Sequence, residues 1–384
     1  MNSRASRRNF LAAGLTLPAA ALAAPQRPQA TPAGSPASNA LAYRTLGKTG
    51  LKVTSVGFGC MVTSDPTVIS RAVDMGINYF DTARGYARGN NERMVGGALK
   101  GNRNRVILSS KSHAMTDAEA RADLDTSLKE LGTDYLDIWY VHNRDTAAQV
   151  PDEIMPVWED AKKQGKIRNI GISTHNPNVL ADRILQIGKF DVVLSVYNFV
   201  VGSANDAAYD RLTKAGIGLV AMKVMAPASR AFGFKVTGPD RTAQPGGPLA
   251  ALKWVLRDKR FGATIPSMTD TDQLEENFRA MSEPFGAQEE KLLAAINEDV
   301  RPLYCRMCYK CSGQCPQGMQ VANTIRYLSY SDFYGQYALG REHFQSLPEQ
   351  VRAIRCADCG ECAIKCPNGV HVQERLSRAQ ELFA

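Results

Sequence analysis

Residues able to handle a proton recur at the ends of hydrophobic runs. The apolar run Ile77 to Phe80 ends at Asp81, and a Gly-containing loop then carries Tyr86. Val106-Ile107-Leu108-Ser109-Ser110 runs into Lys111, and Leu136 to Val141 runs into His142. An acid at the end of a buried strand is costly without a partner, and the later strands offer partners. If these strands lie parallel in a closed barrel, their C-terminal ends share one face, and that face holds the chemistry. A second constellation is built from sulfur. Cys305-x2-Cys308-x2-Cys311-x3-Cys315-Pro316 is repeated as Cys356-x2-Cys359-x2-Cys362-x3-Cys366-Pro367, which uses eight of the nine cysteines. Zinc takes C-x2-C pairs but gives no reason for the triplet or the terminal Cys-Pro. Disulfides suit an even number in an exported chain, yet cysteines only three apart pair poorly as local bridges. Cys60, at the end of the first strand, reads as a small core residue.

The elements that position these residues alternate. Short apolar strands fall near Val56–Gly59, Tyr79–Asp81, Val106–Ser110, Tyr135–Val141, Ile167–Ile172, Val192–Val196, Gly218–Met222 and Ala263–Ile265. Between them, segments such as Ala118–Leu131, Asn178–Ile187 and Ala207–Lys214 carry apolar residues at helical spacing. Eight strand–helix alternations predict a (β/α)8 barrel. A doubly wound sheet has similar periodicity, but no G-x-G-x-x-G follows an early strand. Gly47-Lys48-Thr49-Gly50 between two strand-like runs is a hairpin signal. Ala226 to Gly247 is a long Gly/Pro-containing loop after the seventh strand. The domains expected are 1–40 (signal and linker), 41–285 (barrel) and 286–384, where a helical stretch, Gln288 to Glu298, leads into the cysteine-rich part.

In order and spacing, Asp81, Tyr86, Lys111 and His142 resemble the catalytic tetrad of the aldo-keto reductases, over roughly Leu41 to Met281. The resemblance implies hydride transfer between a nicotinamide and a carbonyl carbon. Negative charge builds on the carbonyl oxygen, so a proton donor must stand beside it. Tyr86 is the candidate donor. A phenol with a pKa of about 10 is a poor acid at neutral pH. Lys111 would ease proton loss, Asp81 would keep that lysine charged, and His142 would orient the carbonyl oxygen. The resemblance also assigns cofactor contacts. Ser173 and Thr174 match the strand end that holds the nicotinamide carboxamide, with Thr174 departing from the usual Asn. Leu194 and Met222 stand where the family has a Gln and a stacking Tyr. Ser267, Gln273, Glu276 and Asn277 match the segment gripping the adenosine end. Ser267 and Gln273 replace the cations that clamp the 2′-phosphate of NADP, so NAD and NADP both stay open. The expected substrate is a small carbonyl or alcohol, sugars included.

The repeated cysteine run is similar to that of bacterial ferredoxins, which hold [4Fe–4S] clusters. The fourth Cys of each run, followed by Pro, reaches the other cluster. The resemblance thus places Cys305, Cys308, Cys311 and Cys366 around one cluster, and Cys356, Cys359, Cys362 and Cys315 around a second. A cluster moves one electron and a nicotinamide two, which leaves three roles open for the clusters: structural, serving a redox partner protein, or exchanging electrons with a further group. The N-terminus, Ser6-Arg7-Arg8-Asn9-Phe10-Leu11 before an Ala-rich run and Ala21-Leu22-Ala23, resembles a twin-arginine export signal. That route carries folded proteins, so clusters can load first, and it predicts a periplasmic location. The net charge of +8 includes three arginines within the first ten residues. The remaining excess reads as a solvated surface and not as a nucleic-acid footprint. No apolar run is long enough for a membrane span. The reading is an exported aldo-keto-reductase-like oxidoreductase with a ferredoxin-like domain. The alternative is an iron–sulfur electron-transfer or binding protein whose barrel has lost nicotinamide chemistry.

Overall fold

Val53 and Leu46 are apolar residues of the opening hairpin, and both are fully buried. A computed structural model describes residues 41–225, 227–228 and 245–384. The expected signal and linker, and most of the loop after Met225, lie outside the described residues. Strands β1 (Tyr43–Thr45) and β2 (Lys52–Thr54) pair antiparallel. Their turn presses on the barrel floor, where Lys48 N donates to Gly216 O at 2.7 Å. At Gly47, with φ +51°, a Cβ would lie 2.3 Å from Gly218 N, so only glycine permits this approach.

The next strands are β3 (Phe58–Gly59), β4 (Tyr79–Asp81), β5 (Ile107–Ser112), β6 (Leu136–Val141), β7 (Ile167–Thr174), β8 (Val192–Val196), β9 (Gly218–Met222) and β10 (Phe261–Thr264). They run parallel, each beside its chain neighbour, in one eight-stranded sheet. Parallel bridges Val56–Thr264 and Gly59–Ser267 join the two edges. The sheet is therefore a closed (β/α)8 barrel, and each expected strand is present. Leu46, Val53, Tyr79, Ile138, Tyr140, Val192, Leu194, Val220 and Ala263 fill its interior. The hairpin thus plugs the N-terminal end and leaves the C-terminal end for chemistry. Helices between the strands start where the sequence caps them. Asp65 accepts from Thr67 N ahead of α1 (Pro66–Asp74). Thr116 and Glu119 form a capping box on α3 (Asp117–Leu131).

The C-terminal part is not tethered loosely. Residues 41–384 lie within one compact unit. Val196, Val200 and Ala250 of the barrel share a hydrophobic cluster with Ile296, Val300, Tyr304 and Phe333. The helices concerned are α7 (Gly247–Leu256) and α9 (Ala287–Val300). Beyond the first cysteine run, α10 (Val321–Asp332), α11 (Tyr337–Gln345) and α13 (Val372–Phe383) bury a core of their own around Leu328, Phe344, Leu376 and Phe383. Among these helices Arg375 and Arg378 both pair with buried Asp332.

Candidate active site and cluster ligands

β4 delivers Asp81 at its last residue, and β5 delivers Lys111 one residue before its end. Parallel register sets Asp81 opposite Ser109, which lets the longer lysine reach back. Lys111 Nζ donates to Asp81 Oδ2 at 2.5 Å, to Thr82 O at 2.7 Å and to Tyr86 Oη at 3.3 Å. Asp81 Oδ1 accepts from Ser109 Oγ at 2.6 Å. The Lys111–Asp81 pair is about 1 to 2 % exposed, so its charges are satisfied by each other and by these hydrogen bonds. Burial opposes the lysine's charge, but Asp81 and Tyr86 lift its pKa above the ordinary 10.5. His142 follows β6 directly, and its ring meets Tyr86 edge-on with centroids 5.8 Å apart. His113 stacks on the same imidazole at 3.9 Å. Burial, then His113 and Lys111, hold His142 well below 6.5, so it is a neutral hydrogen-bonding group. All four expected residues therefore meet at the barrel's C-terminal end. Lys111 does favour the Tyr86 phenolate, but burial outweighs it and the phenol's pKa is raised.

The residues expected at the nucleotide divide into two groups. Ser173 and Thr174 end β7, both buried. Ser173 Oγ accepts from Asn143 N at 2.7 Å, and Thr174 Oγ1 accepts from Asn176 N at 2.9 Å. Leu194 and Met222 pack into the apolar barrel interior. On the far side, Gln273 is committed to capping α8 (Thr271–Arg279). Its amide donates to Thr269 Oγ1 at 2.9 Å and to Asp270 Oδ2 at 2.6 Å. Asn277 is 1 % exposed, and its Nδ2 has no hydrogen-bond partner among the described residues. A buried amide left open in this way fits a ligand that supplies an acceptor. Ser267 and Glu276 are half-buried.

Sequence reasoning missed what covers the barrel. α10 lies over its C-terminal end. Arg326 is 2 % exposed, and its Nη1 lies 3.1 Å from His175 Nδ1, just beyond β7. Lys223, one residue past β9, donates to Tyr330 Oη at 3.1 Å. Tyr309, between two cysteines of the first run, donates to Asp145 Oδ2 at 3.0 Å. Asp145 also accepts from His175 N at 2.7 Å. Burial would raise the Asp145 pKa, but His175 and Arg326 hold it below the carboxylate range. His343 of α11 is close enough to bear on His142, as is His175. Four of the chain's five histidines thus surround this face. A cavity of about 570 Å³ follows the seam between the two parts, walled by Asp145, Tyr309, Cys311, Cys315 and Arg326.

The cysteines group across the two runs. Burial, then Cys311, Cys308 and Cys366, push the Cys305 thiol up to about 12. Burial, then Cys359, Cys315 and Cys362, push Cys356 up to about 11. Each set joins three cysteines of one run to the Cys-Pro cysteine of the other. None of the nine cysteines forms a disulfide. Donors are already aimed at sulfur: Met307 N to Cys305 at 3.3 Å, Asn368 Nδ2 to Cys308 at 3.3 Å and Gln317 Nε2 to Cys359 at 3.5 Å. Among the described residues no three Cys, His, Asp or Glu converge on a single metal ion. A four-iron cluster holds its thiolates at separate corners and needs no such convergence. Four crowded thiols with N–H donors fit that kind of group.

Comparison with known proteins agrees with this division. Residues 64–240 match the aldo/keto reductase family, and residues 304–371 match the 4Fe-4S dicluster domain. L-galactose dehydrogenase of Arabidopsis thaliana is 29% identical over 308 residues, covering 68% of this chain and 95% of that protein. An uncharacterized oxidoreductase of Bacillus subtilis is 26% identical, covering 62% and 90%. L-glyceraldehyde 3-phosphate reductase of Escherichia coli O157:H7 is 25% identical, covering 67% and 92%. Among solved structures, the holo form of an aldo-keto reductase from Bacillus halodurans superposes with a TM-score of 0.59 at 26% identity, covering 67% of this chain and 96% of that one.

Proposed function

We propose, for an oxidoreductase whose barrel belongs to the aldo/keto reductase family and whose C-terminal part is a 4Fe–4S dicluster domain, that the reacting centre is Tyr86 and the substrate a small oxygen-rich carbonyl or its alcohol. The observation that carries this reading is the unbroken contact Asp81–Lys111–Tyr86. A nicotinamide bound at the barrel mouth would supply or accept the hydride. Tyr86 passes a proton to or from the substrate oxygen. Lys111 stabilises the phenolate left behind, Asp81 fixes that lysine in place, and His142 hydrogen-bonds the same oxygen as a neutral imidazole. Ser173 and Thr174 would meet the carboxamide, while Glu276 and the open amide of Asn277 would meet the adenosine. Neither Ser267 nor Gln273 carries a cation, and the Gln273 amide is already spent, which supports NAD ahead of NADP. Two relatives whose names specify a sugar or a sugar phosphate favour an oxygen-rich substrate.

The crossed cysteine sets support two [4Fe–4S] clusters, one held by Cys305, Cys308, Cys311 and Cys366, the other by Cys356, Cys359, Cys362 and Cys315. Clusters supply one-electron chemistry, so we assign them to exchange with a redox partner protein. Arg7 and Arg8 support export of the folded, cluster-loaded protein to the periplasm. The test is an anaerobic titration of cluster-loaded protein with NADH and, separately, NADPH, following nucleotide oxidation and visible iron–sulfur absorbance together. Saturable binding that favours NADH is expected. Absence of binding by either nucleotide overturns the reading in favour of a barrel that has lost nicotinamide chemistry.

A further inference from the structure

Arg326 and Tyr330 lie four residues apart in α10, so both side chains leave the same face of the helix. That face looks into the barrel mouth. Arg326 reaches His175 beyond β7, and Tyr330 reaches Lys223 beyond β9. Tyr330 is 4 % exposed. Lys223 has φ +57°, a left-handed conformation that a lysine adopts only when its surroundings hold it there. Its ammonium is 3.1 Å from Tyr330 Oη, 4.3 Å from that ring's centre and 5.5 Å from the ring of Tyr334. Tyr330 is also near enough to Tyr86 for each charge to be felt by the other. The mouth therefore holds two lysine–tyrosine pairs. One is built wholly by the barrel, and one is completed by the helix that follows the first cysteine run.

A half-buried ammonium and a buried phenol carry a desolvation cost. The Lys111–Tyr86 pair serves one substrate oxygen, and a substrate with a single oxygen has no use for a second pair. We propose that Lys223 and Tyr330 form a second oxygen-binding site, which takes a hydroxyl borne by the same substrate whose carbonyl reacts at Tyr86. The substrate class is then a hydroxy-carbonyl compound, or a polyol in the oxidative direction. This inference rests on Tyr86 being the reacting centre. The charges around the phenol favour the role. Lys223 faces it from the barrel and Arg326 from its own helix. The other titratable neighbours of the pair are Tyr86, His343, His175, Tyr327, Tyr334 and Tyr304, none of them cationic at neutral pH, and the carboxylate of Asp145, which bears on Lys223. Burial works against ionisation, but the two cations bring the Tyr330 pKa below 10.0. A substrate hydroxyl can donate to the Tyr330 oxygen or accept from the Lys223 ammonium that lies beside it.

The test compares glyceraldehyde with propanal in the cluster-loaded enzyme. Tyr330→Phe removes one oxygen atom. It should lower kcat/KM for glyceraldehyde by about 10- to 100-fold and change propanal by less than about threefold. Lys223→Met should lose the same discrimination. The double variant leaves no orphaned charge, and its effect should be well short of the product of the two. The ultraviolet band of ionised tyrosine should emerge at lower pH in the parent than in Tyr330→Phe, with cluster absorbance equal in both. Equal losses on the two aldehydes would mark a structural role and overturn the proposal, as would no loss on either. A parent enzyme that does not favour glyceraldehyde overturns it too. If Tyr86→Phe leaves propanal reduction intact, the reacting centre itself is wrong, which is a distinguishable failure.

Discussion

The two lysine–tyrosine pairs at the barrel mouth share their side chains and differ in what stands behind them. Lys111 is backed by Asp81 at 2.5 Å, whereas Lys223 hydrogen-bonds Tyr330 with Arg326 one turn away from that phenol. Their pKa values move apart accordingly. Lys111 and Tyr86 both titrate above their ordinary values, because burial favours the neutral phenol and the carboxylate holds the lysine charged. Lys223 titrates below its ordinary value because burial and Arg326 disfavour a second cation, and Tyr330 titrates below its own because Lys223 and Arg326 outweigh the burial that opposes its ionisation. A lysine beside a tyrosine does not by itself make an acid or a base. The third charge decides. With an acid behind the lysine the phenol keeps its proton and can donate it. With an extra cation present the phenol holds its proton less tightly.

The sharpest way to break that contrast is at the two phenols. Tyr86→Phe should lower carbonyl reduction by about 10²- to 10⁴-fold, the usual worth of a positioned general acid, with the iron–sulfur spectrum unchanged. Steady-state kinetics on matched aldehydes reads this directly, and a loss no larger than that of Tyr330→Phe would show that the two pairs are equivalent. Next in size is the carboxylate. Asp81→Leu strands a buried ammonium and should cost about 3–5 kcal/mol of stability, measured from denaturant midpoints. Tyr330→Phe leaves Lys223 with one hydrogen bond fewer and should cost about 1–3 kcal/mol. A smaller effect at Asp81 than at Tyr330 would mean that the carboxylate is not the organising charge.

The first pair was legible in the sequence and the second was not, for a physical reason. Strand ends in a parallel barrel share a face, so Asp81, Lys111 and His142 could be brought together from their positions in apolar runs alone. The crossed cysteine sets were likewise legible, because one spacing occurs twice. The role of Lys223 was not legible, since its partner comes from a helix 107 residues later. α10 hides its role. Ile325, Leu328 and Tyr330 all join the C-terminal core, while Arg326 is buried against His175 of the barrel. An all-round buried helix has no polar face to announce its second contact. Gln273 failed differently. A glutamine at that position reads as a ligand contact until the fold shows its amide closing a helix cap.

The smallest expected effect, and the one most specific to the contrast, is the sign of a pH dependence. Stability rises with pH wherever the unfolded chain binds more protons than the folded one. Tyr330 and Lys223 titrate below 10.0 and 10.5 in the fold, so between their folded and unfolded values the unfolded chain holds the extra protons. Their contribution should therefore grow as pH rises towards those values. Tyr86 and Lys111 titrate above 10.0 and 10.5, so there the folded chain holds the extra protons. Their contribution is intact below that point and fades as pH rises through the folded values. Denaturant midpoints of the parent should thus gain on those of the Tyr330→Phe/Lys223→Met double variant from neutral to mildly alkaline pH. The lead over a Tyr86→Phe/Lys111→Met variant should hold flat across that span and shrink only beyond it. Parallel curves for the two double variants would mean that the third charge does not set the behaviour of either pair.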